Sequence, residues 1–196
     1  MIRVFSPADA ASLCDIQRRS ITTIGPRAYS AAQVAAWLSR AMTPQALLSR
    51  TEKGAAVLVA VTDGDEAAGY CLLEADGHLD HLYVDPSAER QGHAKAMLVA
   101  ADDWAQNANV ARLFTEACEI ARPVFAKAGY EVLHRRDFIL ATTSSTNAQQ
   151  FIITRWQKPS PDCSDELYFF DQVEFVARWH GDFHLFAQRF SDQRAA

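Results

Sequence analysis

The chain has 196 residues, a formal net charge of −5 and a hydrophobic content of 49%, which predict one domain with ample apolar material for a core. The acidic balance and the lack of a long Lys/Arg run argue against a nucleic-acid partner. Four scattered cysteines, no leader pattern and no apolar run of ~20 residues argue against a disulfide framework, a metal site and a membrane segment, so we expect a reduced cytoplasmic protein.

The first fifty residues predict one strand and three helices. Residues 2–5 are a short apolar strand, and the helix that follows it ends at Gly25-Pro26. Ser30 followed by Gln33 fits a capping box at the start of a second helix. Thr43-Pro44 is typical of a third helix start.

The apolar period then changes to that of strands. Residues 56–62, 68–75 and 78–84 are separated by Asp/Gly turns, which predicts an antiparallel meander. The meander ends at Asp85-Pro86. A long helix is predicted from Gly92 through Asn107, because its apolar residues repeat on one helical face.

The remaining sequence predicts a second group of strands and then a change of composition. Short strands are expected at 112–115, 130–133, 137–140 and 151–156, with a helix at 122–128 and a polar loop at 142–147. We expect the domain to end at residue 158. Residues 159–196 form an aromatic-rich extension, expected to be helical and packed on the domain or on a partner subunit, which makes a homodimer possible.

The segment that joins the strand at 78–84 to the helix at Gly92 is the part of the sequence that indicates a binding site. The first N–H groups of a helix lack internal partners and lie at the positive end of its dipole, which favours anions. Gly92 has no Cβ to keep a phosphate away, and Arg90 and Lys95 add positive charge. A Walker-type ending and a three-glycine dinucleotide fingerprint are both absent. The residues alone predict an anion site, and a nucleotide site or an ordinary helix start stays open.

Three runs resemble the signature of GNAT N-acetyltransferases: Leu82-Tyr83-Val84-Asp85-Pro86, Arg90-Gln91-Gly92-His93-Ala94 and Ala96-Met97-Leu98. Ala121, Phe125, Lys127, Gly129 and Tyr130 resemble a downstream family helix, and the likeness spans residues 2–158 in element order. It implies an α/β (α+β) fold with a mixed, mostly antiparallel central sheet flanked by helices. It also implies direct acetyl transfer from acetyl-CoA, as co-substrate, to a primary amine of a small molecule or peptide.

The resemblance implies cofactor contacts along the strand end, the loop, the helix start and the downstream helix: Leu82, Tyr83, Val84, Glu89, Arg90, Gln91, Gly92, His93, Ala94, Lys95 and Phe125. Three positions depart from the family's pattern. Glu89 stands where Arg or Gln is usual, Cys118 where Asn is frequent, and Phe125 where a Tyr is often the general acid. Because Phe125 has no proton to give, Tyr83, Tyr130 or solvent are the remaining candidates.

Strand parity supplies candidates for the base that deprotonates the amine. Alternate residues share a face, so His78 and Asp80 are expected on the face of Leu82 and Val84, with Leu79, His81 and Tyr83 opposite. His78 and Asp80 lie where some family members carry a base or relay residue, and imidazole titrates near neutrality. Glu74 on the preceding strand is a third candidate. The alternative for His78 and Asp80 is a polar pair that flanks a turn of the meander, and a solvated strand face explains Glu74 equally well.

Two other functions stay open from the sequence. Phe125 in place of Tyr favours a non-catalytic acyl-CoA-binding or sensing module of the same fold. The aromatic extension favours an interaction protein that docks a partner. The acceptor amine is not predicted by any of these residues.

Overall fold

The computed structural model describes residues 1–141 and 148–157, and side-chain surroundings for residues 1–133. These residues belong to a unit that runs from Met1 to Pro161, and a second unit covers Asp162–Ala196. The predicted loop at 142–147 and the predicted extension from 159 onward lie outside the described residues. The domain boundary at residue 158 stays a prediction.

Seven strands and five α-helices follow one another in the described residues: β1 (Ile2–Val4), α1 (Ala10–Ile24), α2 (Ala31–Leu38), α3 (Pro44–Glu52), β2 (Ala56–Val61), β3 (Ala67–Leu73), β4 (Leu79–Val84), α4 (His93–Asn107), β5 (Phe114–Cys118), α5 (Arg122–Lys127), β6 (Glu131–Ala141) and β7 (Ala148–Gln157). The predicted capping box is present, since Ser30 accepts the N–H of Gln33 and Gln33 accepts the N–H of Ser30. No described helix has the length and apolarity required to cross a bilayer.

The strands form two antiparallel sheets that meet at one point. One sheet has the order β1-β2-β3-β4 and the other β5-β7-β6. Within the described ranges they are joined by a single parallel bridge, between His78 and Phe114. The predicted mixed, mostly antiparallel sheet flanked by helices is confirmed.

The break that the sequence predicts between two strands at the end of the domain is wrong. Residues 130–133 and 137–140 are parts of one strand, β6, because β7 pairs with it from Glu131 to Ala141. A register shift near residue 133 keeps the pairing continuous. Strand β5 begins at Phe114, two residues later than predicted.

Helices cover both faces of the β1–β4 sheet. On one face α4 contributes Met97, Leu98 and Ala101 to a core that includes Leu79 and Phe125. On the other face α1 and α3 bury a second cluster against the opposite side chains of β2 and β3: Leu13, Ile16, Leu47, Val57, Val59, Tyr70 and Leu72. The helices thereby hold the sheet rigid where β4 faces β5.

A bulge in β4 changes which residues share a face. Leu73 pairs with Leu79 and Leu72 with His81, so Asp80 is an extra residue in β4. Leu79 therefore packs in the same cluster as Leu82. His81 lies against Tyr70 on the opposite face, and its Nδ1 is 2.9 Å from the Tyr70 hydroxyl. The strict alternation predicted across β4 is wrong for this reason.

Candidate active site

Strands β4 and β5 start side by side and then separate. The N–H of Phe114 donates to Gly77 O at 3.1 Å, and the hydroxyl of Thr115 donates to Leu79 O at 2.7 Å. Beyond Leu79 no hydrogen bond between backbone groups of the described residues joins the two strands. The result is a cleft that opens toward the C-terminal ends of both strands.

Backbone amides of β4 point into this cleft. The N–H of Asp85 donates to Ala68 O at 2.8 Å, on the β3 side. In an antiparallel ladder successive residues point their N–H groups to opposite sides, so Tyr83 also points toward β3. Leu82 and Val84 consequently present their N–H and C=O groups to the cleft, where an extended ligand can pair with them as a strand does.

The cleft leads to the start of α4. Gly92 precedes the helix with φ 89°, and the space where a Cβ would stand has no atom within 4 Å. The first helical bond is from Ala96 N–H to Gly92 O. As far as the structure describes the chain, the N–H groups of His93, Ala94 and Lys95 have no acceptor. These donors lie at the positive end of the helix and suit a phosphate group.

The unusual Glu89 is neutralised by Arg27, which follows α1. Their side chains make two parallel hydrogen bonds of 2.7 Å each. The hydrogen bonds from Arg27 hold the pKa of Glu89 below its ordinary value. The carboxylate is therefore held ionised and paired beside the anion site, so its charge is compensated when a phosphate binds.

Phe125 lies on the buried side of the site. It is 2% exposed and meets Tyr130 edge-on, with ring centroids 5.2 Å apart. The Tyr130 hydroxyl is buried and has no hydrogen-bond partner among the described residues. Burial raises the pKa of Tyr130, so its proton is held firmly inside the core. Tyr130 is thereby removed from the cleft and is a poor candidate for the acid.

His78 lies at the closed end of the cleft and is paired across it. Its Nε2 is 2.6 Å from Glu116 Oε2 on β5, and its ring stacks on Phe114 with centroids 5.0 Å apart. Burial lowers the pKa of His78, but the hydrogen bond and charge of Glu116 outweigh it and raise the pKa above its ordinary value. The predicted base thus exists as half of an imidazole–carboxylate pair.

Asp80 and Glu74 share one cation, Arg50 of α3. Arg50 Nε donates to Glu74 at 3.0 Å, and its terminal nitrogens bond to both carboxylates. Burial opposes ionisation of Asp80, but the charges of His81 and Arg50 lower the pKa of Asp80 to about 2. An ion-paired carboxylate with so low a pKa is a weak base, since efficient bases titrate near the working pH. Asp80 is better suited to orienting its neighbours.

His81 joins this cluster and was not among the predicted catalytic residues. Its Nε2 lies 3.5 Å from Asp80 Oδ2, and its Nδ1 meets the hydroxyl of buried Tyr70. Nothing in the sequence marks the bulge that turns Asp80 and His81 to the same side. The polar cluster under β4 is therefore Tyr70, His81, Asp80, Arg50 and Glu74.

Comparison with known proteins agrees with this geometry. The family model described as Acetyltransferase (GNAT) domain matches residues 26–139. The chain belongs to the GNAT acetyltransferase family.

Individual relatives resemble this chain over a longer stretch than the family model does. The Escherichia coli (strain K12) protein named uncharacterized N-acetyltransferase YafP is 26% identical over 135 residues, which are 69% of this chain and 83% of that protein. A GCN5-related N-acetyltransferase structure from Rhodopseudomonas palustris, also labelled aminotransferase class-II, has TM-score 0.71 and 26% identity, and the match covers 81% of this chain and 94% of that one.

A third solved structure is of YncA from Salmonella typhimurium, a putative acetyltransferase described with its cofactor acetyl-CoA. It has TM-score 0.64 and 17% identity, and covers 88% of this chain and 98% of that one. The prediction of a GNAT acetyltransferase is confirmed, and the acetyl-CoA named with the YncA structure is consistent with the predicted co-substrate. The individual cofactor contacts and the catalytic roles of His78, Asp80 and Glu74 stay predictions.

Proposed function

We propose that this GNAT protein transfers an acetyl group from acetyl-CoA to a primary amine of a small molecule or peptide. The observation that carries the proposal is the separation of β4 from β5. It leaves the amides of Leu82 and Val84 open in line with the donors at the start of α4. A long ligand with an anionic end can bind along this row of N–H donors, which we call the donor track.

Acetyl-CoA binds along the donor track in two parts. The pyrophosphate of CoA takes the N–H groups around Gly92, where the absence of a Cβ leaves room for it. The pantetheine arm pairs with the backbone of Leu82 and Val84 as an added strand. The acetyl carbonyl then receives the N–H of Leu82, which stabilises the oxyanion that forms during attack. Arg90 and Lys95 add positive charge at the phosphates.

The acceptor amine must lose a proton, and the polar cluster beneath β4 can take it. Imidazole is the side chain best suited to act as a base near neutral pH. We assign this role to His81, which is oriented by Asp80 because its Nε2 lies 3.5 Å from Asp80 Oδ2. A chain of water molecules can carry the proton from the amine to this imidazole. His78 with Glu116 is the second candidate, and Glu74 the third.

One observation favours a module that binds acyl-CoA without catalysis. Phe125 is buried and offers no hydroxyl to the departing thiolate. The two functions differ in turnover, since a sensing module binds acetyl-CoA but releases no free thiol when amines are added.

The test is thiol release from acetyl-CoA by the full-length chain across a panel of primary amines, next to calorimetric acetyl-CoA binding. The proposal predicts amine-dependent turnover that falls by about a hundredfold in His81→Asn, because general bases contribute roughly that much or more. Arg18→Gln, at an exposed position of α1, serves as the control and is expected to match wild type. Tight binding without turnover for any amine would support the sensing module and contradict the transferase.

A further inference from the structure

Acetyl transfer leaves a thiolate on CoA, and that sulfur needs a proton donor. Phe125 has none, and the hydroxyl of Tyr130 is buried in the core on the far side of the sheet. The hydroxyl of Tyr70 is bound to His81 Nδ1 and the residue is fully buried. Tyr83 and solvent stay candidates from the sequence, and a donor from another segment can also reach the open end of the cleft.

The strand register locates the sulfur. His78 pairs with Phe114, and the carbonyl of Leu79 accepts the hydroxyl of Thr115. The two parallel strands therefore start in a common register at the closed end of the cleft. Because Asp80 is an extra residue in β4, counting along the two strands places Cys118, which ends β5, opposite Leu82 and Tyr83. Since the thioester carbonyl takes the N–H of Leu82, the departing sulfur lies at this level.

Tyr29 reaches this point from the segment between α1 and α2. Its hydroxyl accepts the N–H of Glu119, the residue that follows β5, at 3.2 Å. Its ring meets Trp37 edge-on, with centroids 5.8 Å apart. The phenol of Tyr29 therefore lies at the C-terminal end of β5, next to the residue that follows Cys118.

The segment that carries Tyr29 is also fixed to the cofactor loop. Arg27, two residues earlier, makes the paired hydrogen bonds to Glu89. Burial raises the pKa of Tyr29, as it does that of Tyr130, so both phenols are protonated at neutral pH and their positions distinguish them. The segment therefore binds beside the phosphate site and brings a proton donor to the thioester site.

We propose that Tyr29 is the general acid that protonates the sulfur of CoA, an inference that rests on the proposed function. When the C–S bond of the tetrahedral intermediate breaks, its electron pair stays on sulfur. The phenolic proton moves to that sulfur and gives the free thiol of CoA. Solvent then returns a proton to the phenolate of Tyr29, while the amine proton leaves separately toward His81.

Turnover of the full-length Tyr29→Phe variant is the first test. We expect kcat to fall by about a hundredfold or more, since positioned acids contribute roughly that factor, with the acetyl-CoA Kd within about threefold of wild type. Tyr83→Phe is the comparator, because Tyr83 is the half-buried tyrosine among the acid candidates that the sequence offers. A kcat near wild type in Tyr29→Phe, or a fall matched by lost acetyl-CoA affinity, would overturn the proposal.

A second test needs no acceptor amine. At about pH 9 a thiol of ordinary pKa near 8.5 is largely ionised, so free CoA presents its thiolate to Tyr29. Tyr29→Phe should then weaken CoA about tenfold, the size of a lost hydrogen bond to a charged group, and leave acetyl-CoA unchanged. Equal effects on both ligands would contradict the role of Tyr29.

The two tests separate this inference from the proposed function. Selective loss of CoA affinity in Tyr29→Phe, without amine turnover in wild type, would support the position of Tyr29 beside the sulfur but overturn the transferase and, with it, the general-acid role. Turnover that survives Tyr29→Phe would support the transferase and overturn Tyr29. Failure of wild type to bind either ligand would overturn both.

Discussion

His78 Nε2 lies 2.6 Å from Glu116 Oε2, across the one place where the two described sheets meet. Both side chains are largely buried, at 12% and 7% exposure. The pair therefore acts as a clamp at the closed end of the cleft, whether or not His78 also takes a proton during catalysis. Its strength depends on pH because imidazole must be protonated to form a full ion pair with Glu116.

The first prediction concerns the pH dependence of this clamp. The pKa of His78 is raised in the fold, so its extra stabilisation is fully present below the ordinary histidine pKa of about 6.5. It is lost as pH rises through the raised value. We expect wild type to exceed His78→Gln in unfolding free energy by about 1.5–3 kcal/mol at acidic pH, the range for a hydrogen bond to a charged group.

Urea unfolding between about pH 5 and pH 9 measures this difference. Glu116→Gln is the matched control and should abolish the same pH dependence from the other side of the pair. A difference between wild type and His78→Gln that grows toward alkaline pH would contradict the clamp.

The second prediction compares the two carboxylates on Arg50. Asp80 is 5% exposed and its pKa is lowered from 3.8 to about 2. The shift corresponds to about 2 kcal/mol of stability that is present above about pH 4 and lost as pH falls toward 2. Asp80→Asn should therefore destabilise the protein at neutral pH by about 2–4 kcal/mol.

Glu74→Gln is the matched control for Asp80→Asn. Glu74 bonds to the same arginine but is 34% exposed, so the change should cost less than about 1 kcal/mol. Urea denaturation of both variants at neutral pH measures the order. An equal or larger loss in Glu74→Gln would mean that Asp80 is not the principal partner of Arg50.

The third prediction concerns the carboxylate beside the phosphate site. Removing Arg27 leaves the charge of Glu89 uncompensated near the pyrophosphate, so Arg27→Gln should weaken acetyl-CoA by about tenfold, or 1.4 kcal/mol. Removing the carboxylate relieves this repulsion, so Glu89→Gln should bind as tightly as wild type or more tightly. Both effects should shrink in high salt, because the two side chains are partly exposed.

Calorimetric titration at low and high salt distinguishes these variants. The double variant Arg27→Gln/Glu89→Gln is expected to recover the affinity lost in Arg27→Gln. A loss in Glu89→Gln as large as that in Arg27→Gln would show that the carboxylate itself supports binding.

Local features of the fold could be predicted from the sequence because they depend on near neighbours. Ser30 and Gln33 formed their capping box, and Thr43 caps α3 by accepting the N–H of Ala46. Gly92 at the start of α4 adopts a positive φ that suits glycine. Asp/Gly turns and apolar periods were sufficient to place the meander and the long helix.

The side chains of the candidate site could not be assembled in the same way. Glu116 and Tyr29 come from segments distant in sequence from β4, and only the folded chain brings Glu116 to His78 and Tyr29 to the end of β5. The bulge at Asp80 has no marker in the sequence, yet it reverses the face on which Asp80 and Leu79 were expected. Distant contacts and one extra residue in a strand therefore decided the catalytic geometry.

Titration of acetyl-CoA into wild type and Gly92→Glu tests whether the ligand binds along β4 with its pyrophosphate at the start of α4. Gly92→Ala is the intermediate variant, because its Cβ meets no protein atom within 4 Å but stands in the space proposed for the phosphate, at a positive φ. We predict saturable binding by wild type, a smaller loss of affinity in Gly92→Ala, and a loss of about a hundredfold or more, about 2.7 kcal/mol, in Gly92→Glu. Equal affinities for wild type and Gly92→Glu, or no binding by wild type, would contradict this placement of acetyl-CoA.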